Sequence, residues 1–340
     1  MLKINMFSTA TKVKGQGVGS AYSELINMLE KHFPREFDIK INNYAQSDIS
    51  HYHTINPTFF LSTFFKKRGR KIGYVHFLPE TLEGSLKIPW AIKGIVYRYV
   101  IAFYKRMDHI VVVNPSFIPK LEKYGIKGNK ITYIPNFVNR QEFHPASKQT
   151  KRDLRAKRGY DQNRFTVLGS GQIQTRKGVL DFVQLAKENP KVQFIWTGGF
   201  SFGKMTEGYA DLEKIVKDPP NNLSFPGIID RHKMVDYYNM ADLFILPSYN
   251  ELFPMSVLEA FSTETPVMLR DLDLYKSIID GYYLGAGDVS EMNSELGKLI
   301  QDPDELMKLT EKAKEASERY SESHLAQIWH DFYNQQAGKG

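Results

Sequence analysis

Short apolar runs alternate along the chain with longer stretches whose apolar residues recur at helical spacing. In the first half this pattern predicts strands at residues 3–7, 37–41, 49–53, 71–77, 109–113 and 131–134, and helices at 20–31, 88–106 and 115–124. In the second half it predicts strands at 165–169, 192–197, 223–225, 243–246 and 266–269, and helices near 179–188, 209–216, 233–240 and 255–262. Strands alternating with helices indicate βαβ units and parallel sheets. Because the scheme occurs twice, we predict an α/β fold of two doubly wound domains facing each other across a cleft, with ligand at the carboxyl ends of the strands.

A polar, basic stretch separates the two halves. The segment "HPASKQTKRD" (144–153) has few apolar residues and is interpreted as a linker. The predicted domains are therefore residues 1–145 and 146–316. Two helical patterns, 304–319 and 321–335, follow the second sheet, so residues 317–340 are expected to include a C-terminal helix that crosses back onto the first domain.

The composition fits a soluble globular protein, with 42% hydrophobic and 24% charged residues. The chain has no cysteine, which excludes disulfides and thiolate metal sites and fits a reducing, cytosolic setting. Its N-terminus is short, strand-like and soon polar, unlike a signal peptide. We expect no membrane-spanning helix, because uncharged apolar runs of the required length are absent from the sequence.

The net charge of +7 is unevenly distributed. Residues 1–150 carry 22 Lys and Arg against 10 Asp and Glu, whereas the remainder carries 23 against 28. This asymmetry suggests that the first half faces an anionic partner, either nucleic acid or a lipid surface. No nucleic-acid-binding motif accompanies the charge, so a lipid surface is the preferred interpretation.

Two segments of the first half combine aromatic and basic residues. The segment "TFFLSTFFKKRGRK" (58–71) places four phenylalanines before five cations, and "KIPWAIKGIVYRYVIAFYKR" (87–106) interleaves cations with an apolar helical face. Five charges make the second segment a poor transmembrane span, but cations with aromatics suit a monotopic helix at an anionic bilayer. The alternative is a core helix with solvated lysines. The candidate membrane and acceptor residues are Lys66, Lys67, Arg68, Trp90, Lys93, Arg98, Lys105 and Arg106.

Two loops that follow predicted strands have features of anion-binding sites. Gly15, Gly17 and Gly19 lie between the first strand and the first helix, where glycines let a backbone approach a ligand. A mobile turn is the alternative, because the spacing departs from the dinucleotide fingerprint. In "GSGQIQTRKGVLDF" (169–182), Arg176 and Lys177 sit where side chains and a helix N-terminus converge on one anion, such as a diphosphate. The alternative there is a solvated basic turn.

Three histidines lie on predicted strands of the first half. His76 ends a strand at the expected cleft, where it could donate a hydrogen bond to a sugar hydroxyl or a phosphate. His51 and His53 point to one face of a strand and are interpreted as satisfied structural histidines. Without carboxylates or cysteines nearby in the sequence, a metal site is not expected.

The stretch "NELFPMSVLE" (250–259) places two glutamates around the entry to a helix. Glu251 lies in the loop at the carboxyl end of a strand, Pro254 suits the first turn of the helix, and Glu259 lies about a turn and a half deeper. Such carboxylates can accept hydrogen bonds from the vicinal hydroxyls of a sugar and of a ribose. A glycosidase acid/base pair is an alternative. Compensation of the helix dipole would explain Glu251 but not Glu259.

"PSYNELFPMSVLEAFSTETPV", with its two glutamates separated by seven residues, resembles the signature of the retaining nucleotide-sugar glycosyltransferases of family four. "GQIQTRKG", "GQGVG" and "YIPNFVN" resemble further motifs of that family, over nearly the whole chain. The resemblance implies the GT-B fold of two Rossmann-like domains, a UDP-hexose donor, and no metal or other cofactor.

The family's site residues can be carried over onto this sequence. The resemblance implies that Lys177 binds the diphosphate, that Glu259 binds the ribose and that Glu251 binds the transferred sugar. His76 would lie beside that sugar, and Arg176 would compensate for Gln172, which stands where the family has an arginine. Leu252, Pro254 and Glu264 stand where the family commonly has glycine. The implied catalytic residues are His76, Arg176, Lys177 and Glu251, and the implied donor-binding residues are Gly15, Gly17, Gly19, Gln172, Arg176, Lys177, Glu251, Leu252, Phe253 and Glu259.

Four further segments, "INMFSTATKVKGQGVGSAYSEL", "SHYHTINPTFFLSTF", "GYVHFLPETLEGS" and "WTGGFSFGK", are similar to glycolipid synthases of Gram-positive bacteria. Those enzymes add a second hexose, glucose or galactose, to monoglucosyl-diacylglycerol, which forms an anchor for lipoteichoic acid. This similarity implies a peripheral enzyme on the cytoplasmic face of the membrane. The alternatives are a soluble glycosyltransferase acting on a polysaccharide or small molecule, and a non-catalytic nucleotide-sugar-binding module.

Overall fold

The computed structural model describes residues 1–12, 17–76, 78, 90–201, 203 and 206–338, without the side chains of residues 12 and 90–92. The chain divides into two compact units. The first unit contains the described residues up to 137 together with those from 322 onwards, and the second unit is Val138–Ser321.

The first unit is built on a six-stranded parallel sheet of order β2-β1-β3-β4-β5-β6. Its strands are β1 (Leu2–Phe7), β2 (Phe37–Ile41), β3 (Ile49–Tyr52), β4 (Arg70–Val75), β5 (His109–Val112) and β6 (Ile131–Tyr133). The first helices around them are α1 (Gly17–His32), α2 (Pro57–Ser62), α3 (Trp90–Lys105) and α4 (Ile118–Lys123). Because the strand order reverses at β1 and β3, the carboxyl ends of these strands mark the expected ligand position of this unit.

The second unit has its own six-stranded parallel sheet, of order β12-β11-β10-β7-β8-β9. Its strands are β7 (Thr166–Ser170), β8 (Gln193–Thr197), β9 (Leu223–Gly227), β10 (Leu243–Leu246), β11 (Val267–Arg270) and β12 (Leu284–Ala286). Its helices are α5 (Lys148–Lys157), α6 (Val179–Glu188), α7 (Tyr209–Lys217), α8 (Arg231–Met240), α9 (Met255–Ser262), α10 (Asp273–Lys276), α11 (Val289–Gln301) and α12 (Pro303–Arg319). The order reverses between β7 and β10, so the loops after these two strands meet at the expected binding position.

The central strands are apolar along their whole length. In β10 all four residues, "LFIL", are buried, and β7 is buried from Thr166 to Gly169. Strands covered by helices on both faces show this continuous apolar run rather than alternation. The predicted fold class, α/β with two doubly wound domains, is confirmed.

The linker prediction for residues 144–153 was wrong, because α5 begins inside that segment. The Ser147 hydroxyl caps the helix by accepting a hydrogen bond from the Thr150 N–H. Further along, the buried Arg155 side chain donates to the carbonyl of Met240 and to the Asp242 carboxylate. This helix is stabilised by a cap and a buried ionic contact, neither of which produces apolar periodicity.

Several short elements were not predicted. They are α2, α10 and β12, of six, four and three residues, together with the longer α11. Elements of three to six residues are too short to show periodicity. A related feature follows α9, where Glu264 has φ of 56°. Glycine adopts this left-handed conformation without strain, which explains why glycine is suited to the position of Glu264.

The last helix, α13 (Glu322–Gln336), belongs to the first unit. It buries Leu325, Trp329 and Tyr333, and its first residue, Glu322, pairs with Lys31 and His32 at the end of α1. The Tyr333 ring packs edge-on against Phe37 of β2. Helix α13 therefore covers the face of the first sheet near β2 and β3.

Candidate active site

The loop after β7 is held tightly against the loop after β10. It contains a short 3₁₀ turn, Thr175–Lys177, followed by Gly178 with φ of 68° at the start of α6. A Cβ at Gly178 would overlap the carbonyl oxygen of Pro247, so only glycine fits. The Tyr249 N–H donates to the carbonyl of Arg176 at 2.9 Å. These contacts bring Arg176 and Lys177 to the loop that carries Glu251.

The buried Glu251 carboxylate forms an ionic cluster with both cations, which are themselves half-buried. Lys177 Nζ lies 2.5 Å from Glu251 Oε1, and Arg176 Nη1 lies 3.6 Å from Glu251 Oε2. Arg176 also donates to the carbonyl of Asn250. Burial alone would raise the pKa of Glu251, but the adjacent Lys177 and Arg176 charges hold that pKa below its ordinary value. Burial lowers the pKa of Lys177, and the charge of Glu251 opposes this change.

Glu259 occupies the second buried carboxylate position, on α9. Arg231 Nη1 donates to its Oε1 at 2.5 Å, and the Tyr238 hydroxyl donates to its Oε2 at 2.7 Å. Both partners lie on α8, two helical turns apart. The guanidinium of Arg231 also stacks over the Phe143 ring. Each carboxylate oxygen of Glu259 keeps further lone-pair capacity for a ligand hydroxyl.

Sequence reasoning missed Arg231 and Tyr238. They precede Glu259 by 28 and 21 residues and meet it only because α8 packs beside α9. Their spacing of seven on one helix is a weak sequence signal, since it places two polar residues on one face. Without the packing of the two helices, nothing in that spacing indicates a carboxylate partner.

The other residues that were predicted to bind the UDP-sugar differ in how deeply their side chains are buried. Gln172 is half-buried, and its amide oxygen accepts a hydrogen bond from the buried Gln174 Nε2 at 2.7 Å. Leu252 is half-buried, whereas the Phe253 ring is buried and packs edge-on against Tyr320. The ring of Phe253 is therefore part of the core. Pro254 stands just before α9 rather than in its first turn.

In the first unit, the loop glycines are placed differently from the prediction. Helix α1 begins at Gly17, so Gly17 and Gly19 belong to its first turn, and Gly15 lies outside the described residues. A Cβ at Gly19 would lie 3.1 Å from the carbonyl oxygen of Ala10. The absence of a side chain lets this helical turn pack closely against the segment Ala10–Lys12, which is why the helix starts earlier than its apolar pattern suggests.

His76 follows β4 and is only 5% exposed. Its Nε2 lies 3.5 Å from Nδ1 of His53, and burial lowers its pKa to about 3, so its ring is neutral. The prediction that His51 and His53 are satisfied structural residues was half wrong. Each uses Nδ1 in a hydrogen bond, but Nε2 of each is buried and has no partner among the described residues.

Arg68 was predicted to be a membrane-facing cation, and this prediction was wrong. It is fully buried and donates to the backbone carbonyls of Asn43, Tyr44 and Ala45. Its guanidinium also lies near the rings of Phe7 and Tyr44. Arg68 is therefore a structural residue that satisfies backbone carbonyls which the sheet leaves unpaired.

The remaining predicted cations lie at or near the surface. Arg106 is half-buried, stacks over the Phe64 ring at 4.3 Å and donates to the carbonyl of Thr63. Lys93 is also half-buried, and the side chain of Trp90 lies outside the described residues. The fully exposed cations are Lys66, Lys67, Arg98 and Lys105.

Within the described ranges, no group of three or more histidine, cysteine or acidic side chains could hold a metal ion. In the same part of the chain, every helix is too short or too polar to span a membrane.

Comparisons with known proteins agree with this architecture. Residues 150–316 match the profile of Glycosyl transferases group 1, and residues 20–142 match that of Glycosyltransferase Family 4. The crystal structure of Anabaena HepE in complex with UDP and glucose has a TM-score of 0.79 at 15% identity, covering 98% of this chain and 100% of HepE. That likeness supports the fold.

Two relatives have named activities. Over 340 residues, 100% of this chain and 91% of the relative, the sequence is 53% identical to the alpha-galactosylglucosyldiacylglycerol synthase of Streptococcus pneumoniae. Over 181 residues, 51% of this chain and 53% of the relative, it is 29% identical to the processive diacylglycerol alpha-glucosyltransferase of Acholeplasma laidlawii. Both family profiles match, and the pneumococcal relative is 53% identical over the whole of this chain, so the chain belongs to the family-four glycosyltransferases of GT-B fold.

Proposed function

We propose that this enzyme transfers a hexose, glucose or galactose, from a UDP-sugar to monoglucosyl-diacylglycerol, with retention of configuration. The use of a UDP-sugar donor is supported by one observation, the ionic cluster of Lys177, Arg176 and Glu251 at the carboxyl ends of β7 and β10. The acceptor half is supported by the pneumococcal relative, whose name specifies a galactosylglucosyl-diacylglycerol product with an alpha linkage. UDP-glucose and UDP-galactose carry alpha-linked sugars, so an alpha product supports retention.

The second unit supplies groups of the right charge for such a donor. Lys177 and Arg176 neutralise the diphosphate, and their charge stabilises it as it leaves. Glu259 accepts hydrogen bonds from the ribose hydroxyls, and Glu251 accepts one from the sugar. The bond between the sugar C1 and the phosphate oxygen breaks while a bond from C1 to the acceptor oxygen forms on the same face. The acceptor proton passes to the departing phosphate oxygen.

Glu259→Gln is expected to weaken UDP binding about 10- to 100-fold in calorimetry. The reason is that a hydrogen bond to a charged group contributes about 1.5–3 kcal/mol, and the neutral amide replaces a carboxylate that Arg231 and Tyr238 hold in place. Glu188→Ala, on the exposed end of α6, is the matched control and should leave the affinity unchanged. Unchanged affinity in Glu259→Gln would exclude the ribose role.

The first unit carries a surface suited to an anionic membrane. Phe60 packs against Tyr99 and Phe103, which joins α2 to α3. Four large apolar side chains of the segments around α2 and α3 are more than half exposed, and four cations of the same segments are exposed. We call this set the α2–α3 surface: Leu61, Phe64, Phe65, Ile95, Lys66, Lys67, Arg98 and Lys105. Exposed apolar groups and exposed cations on the same segments are typical of peripheral membrane contact.

Replacing Lys66, Lys67 and Arg98 of this surface with glutamate is expected to reduce binding to phosphatidylglycerol vesicles at least a hundredfold in a flotation assay. Each cation near an anionic surface contributes about 1 kcal/mol, and charge reversal adds repulsion. The matched control reverses Lys148, Arg152 and Lys157, three exposed cations on one helix of the second unit. Equal loss in both variants would indicate only a general charge effect, and persistent binding of the first variant would exclude this surface.

The proposal as a whole is tested by product analysis. The enzyme is incubated with glucosyl-diacylglycerol and either UDP-glucose or UDP-galactose, with and without EDTA, and the lipids are analysed by chromatography and linkage analysis. We expect a dihexosyl-diacylglycerol with an alpha linkage from one donor, and the same rate with EDTA, because Lys177 and Arg176 supply the positive charge. Transfer only to a soluble sugar would identify a soluble glycosyltransferase, and UDP binding without transfer would identify a binding module.

A further inference from the structure

Three buried histidine rings form a row in the first unit. His51 and His53 lie two residues apart on one face of the β3 strand and its extension, and His76 follows the neighbouring strand β4. The ring centroids of His51 and His53 are 4.1 Å apart, and those of His53 and His76 are 5.7 Å apart with the rings nearly parallel. The row ends at His76, at the carboxyl edge of the sheet.

All three rings are neutral at ordinary pH. Burial lowers the pKa of each ring, and neighbouring histidines lower the pKa of His51 and His53 further. A neutral imidazole has one N–H group and one lone pair. Each hydrogen bond in the row therefore has a direction, and that direction decides which nitrogen of the next ring carries a proton.

The unpaired atom of His53 sets this direction. Its Nδ1 faces Nε2 of His76 at 3.5 Å, whereas its Nε2 is buried without a hydrogen-bond partner among the described residues. A buried N–H without an acceptor is rarer and less favourable than a buried acceptor without a donor. The proton of His53 therefore belongs on Nδ1, where it can donate, and its lone pair belongs on Nε2.

We propose that His53 is a positioning residue that donates its Nδ1–H to Nε2 of His76 and so fixes His76 as the Nδ1–H tautomer. His76 then presents an N–H donor, rather than a lone pair, at the carboxyl edge of the sheet. Resting on the proposed function, this donor would bind an oxygen of the sugar.

Helix α13 anchors the far end of the row. The Tyr333 hydroxyl lies 2.8 Å from Nδ1 of His51, and the Trp329 ring lies 5.9 Å from the His51 ring. His51 in turn packs against His53. The side chains of α13 thus hold His51 in place, and His51 limits the rotation of His53 that would break its contact with His76.

The tautomer of His76 can be measured directly. Protein labelled with ¹⁵N-histidine is studied by two-bond ¹H–¹⁵N correlation, which distinguishes protonated from unprotonated ring nitrogens, and His76→Asn assigns the signals. In the unsubstituted protein we expect a protonated Nδ1 and an unprotonated Nε2 on His76. His53→Phe keeps a ring but removes the donor, so His76 should become a mixture of tautomers. His53→Asn places an amide near the Nδ1 position and should restore the Nδ1–H form.

His51→Phe is the matched control, since phenylalanine keeps a ring packed against His53 and leaves both partners of the His53–His76 hydrogen bond in place. The His76 tautomer should therefore stay unchanged. A spectrum showing Nε2–H on His76 in the unsubstituted protein would overturn the proposal, even if His53→Phe does not fold. So would an unchanged tautomer in folded His53→Phe.

The rate of hexose transfer gives a second readout. His53→Phe should lower kcat about tenfold with little change in KM for the donor, and His53→Asn should recover most of the rate. If the spectra follow this pattern while His76→Asn retains full transfer activity, the tautomer assignment stands and the sugar-binding role of His76 fails. If the spectra do not follow it, the positioning role fails whatever the activity.

Discussion

Lys177→Met is expected to lower kcat for hexose transfer about a thousandfold. Lys177 is the half-buried cation in closest contact with the buried Glu251, and methionine is of similar length without the charge. Removing one preorganised hydrogen-bond donor to a developing anion reduces kcat about 10²- to 10³-fold. Because Lys177 carries a full positive charge, we expect an effect at the upper end of this range. The measurement is the rate of UDP release with saturating donor and acceptor.

Loss of folding must be separated from loss of chemistry. Lys177→Met leaves Glu251 buried with Arg176 3.6 Å away, and breaking a buried ion pair destabilises a protein by about 3–5 kcal/mol. Adding Glu251→Gln removes the unpaired charge and should restore the melting temperature without restoring kcat. Lys187→Met, an exposed lysine on α6, is the matched control. A double variant that recovered both stability and kcat would refute the assigned role of Lys177.

Acidification from pH 7.5 to 5 is expected to lower the free energy of unfolding of the first unit by about 4 kcal/mol through His51 and His76, and His53 acts in the same direction. Folding lowers the pKa of His51 and His76 from 6.5 to about 3, and lowers that of His53 strongly. The native state therefore binds fewer protons than the unfolded state. The contribution to stability is complete above pH 6.5 and is lost as the pH falls toward 3, at about 2 kcal/mol each for His51 and His76 by pH 5.

Hydrogen exchange of peptides from β3 and β4 measures this loss locally. His53→Asn should reduce the pH dependence of their protection, because it removes one of the three groups. His144→Gln, an exposed histidine in the second unit, serves as the control and should leave the dependence unchanged. Protection in β3 and β4 that stayed constant from pH 7.5 to 5 would contradict the neutral, buried state of the three rings.

The sequence was most informative where function depends on a local pattern. Glu251, Lys177 and Arg176 were predicted from strand ends and loop chemistry, and the structure brings all three together. Glu259 was predicted from its position on α9, and it is buried there. Parallel strands make such predictions possible, because their carboxyl ends meet at one edge of the sheet.

The sequence was least informative where a residue's environment comes from distant segments. Arg68 stands among exposed cations in the sequence, yet its side chain turns inward to carbonyls 23 to 25 residues earlier. Arg231 meets Glu259 only through helix packing. In both cases the charge is visible in the sequence, but its partner is set by tertiary packing.

The contact between Lys177 and Glu251 also bears on turnover. In the proposed function, a hydroxyl of the hexose binds Glu251 and the diphosphate binds Lys177, and these two side chains are themselves paired at 2.5 Å. Once the hexose has been transferred, Glu251 would have lost its hydroxyl partner and would compete with UDP for Lys177. We therefore expect this ion pair to favour the release of UDP after transfer.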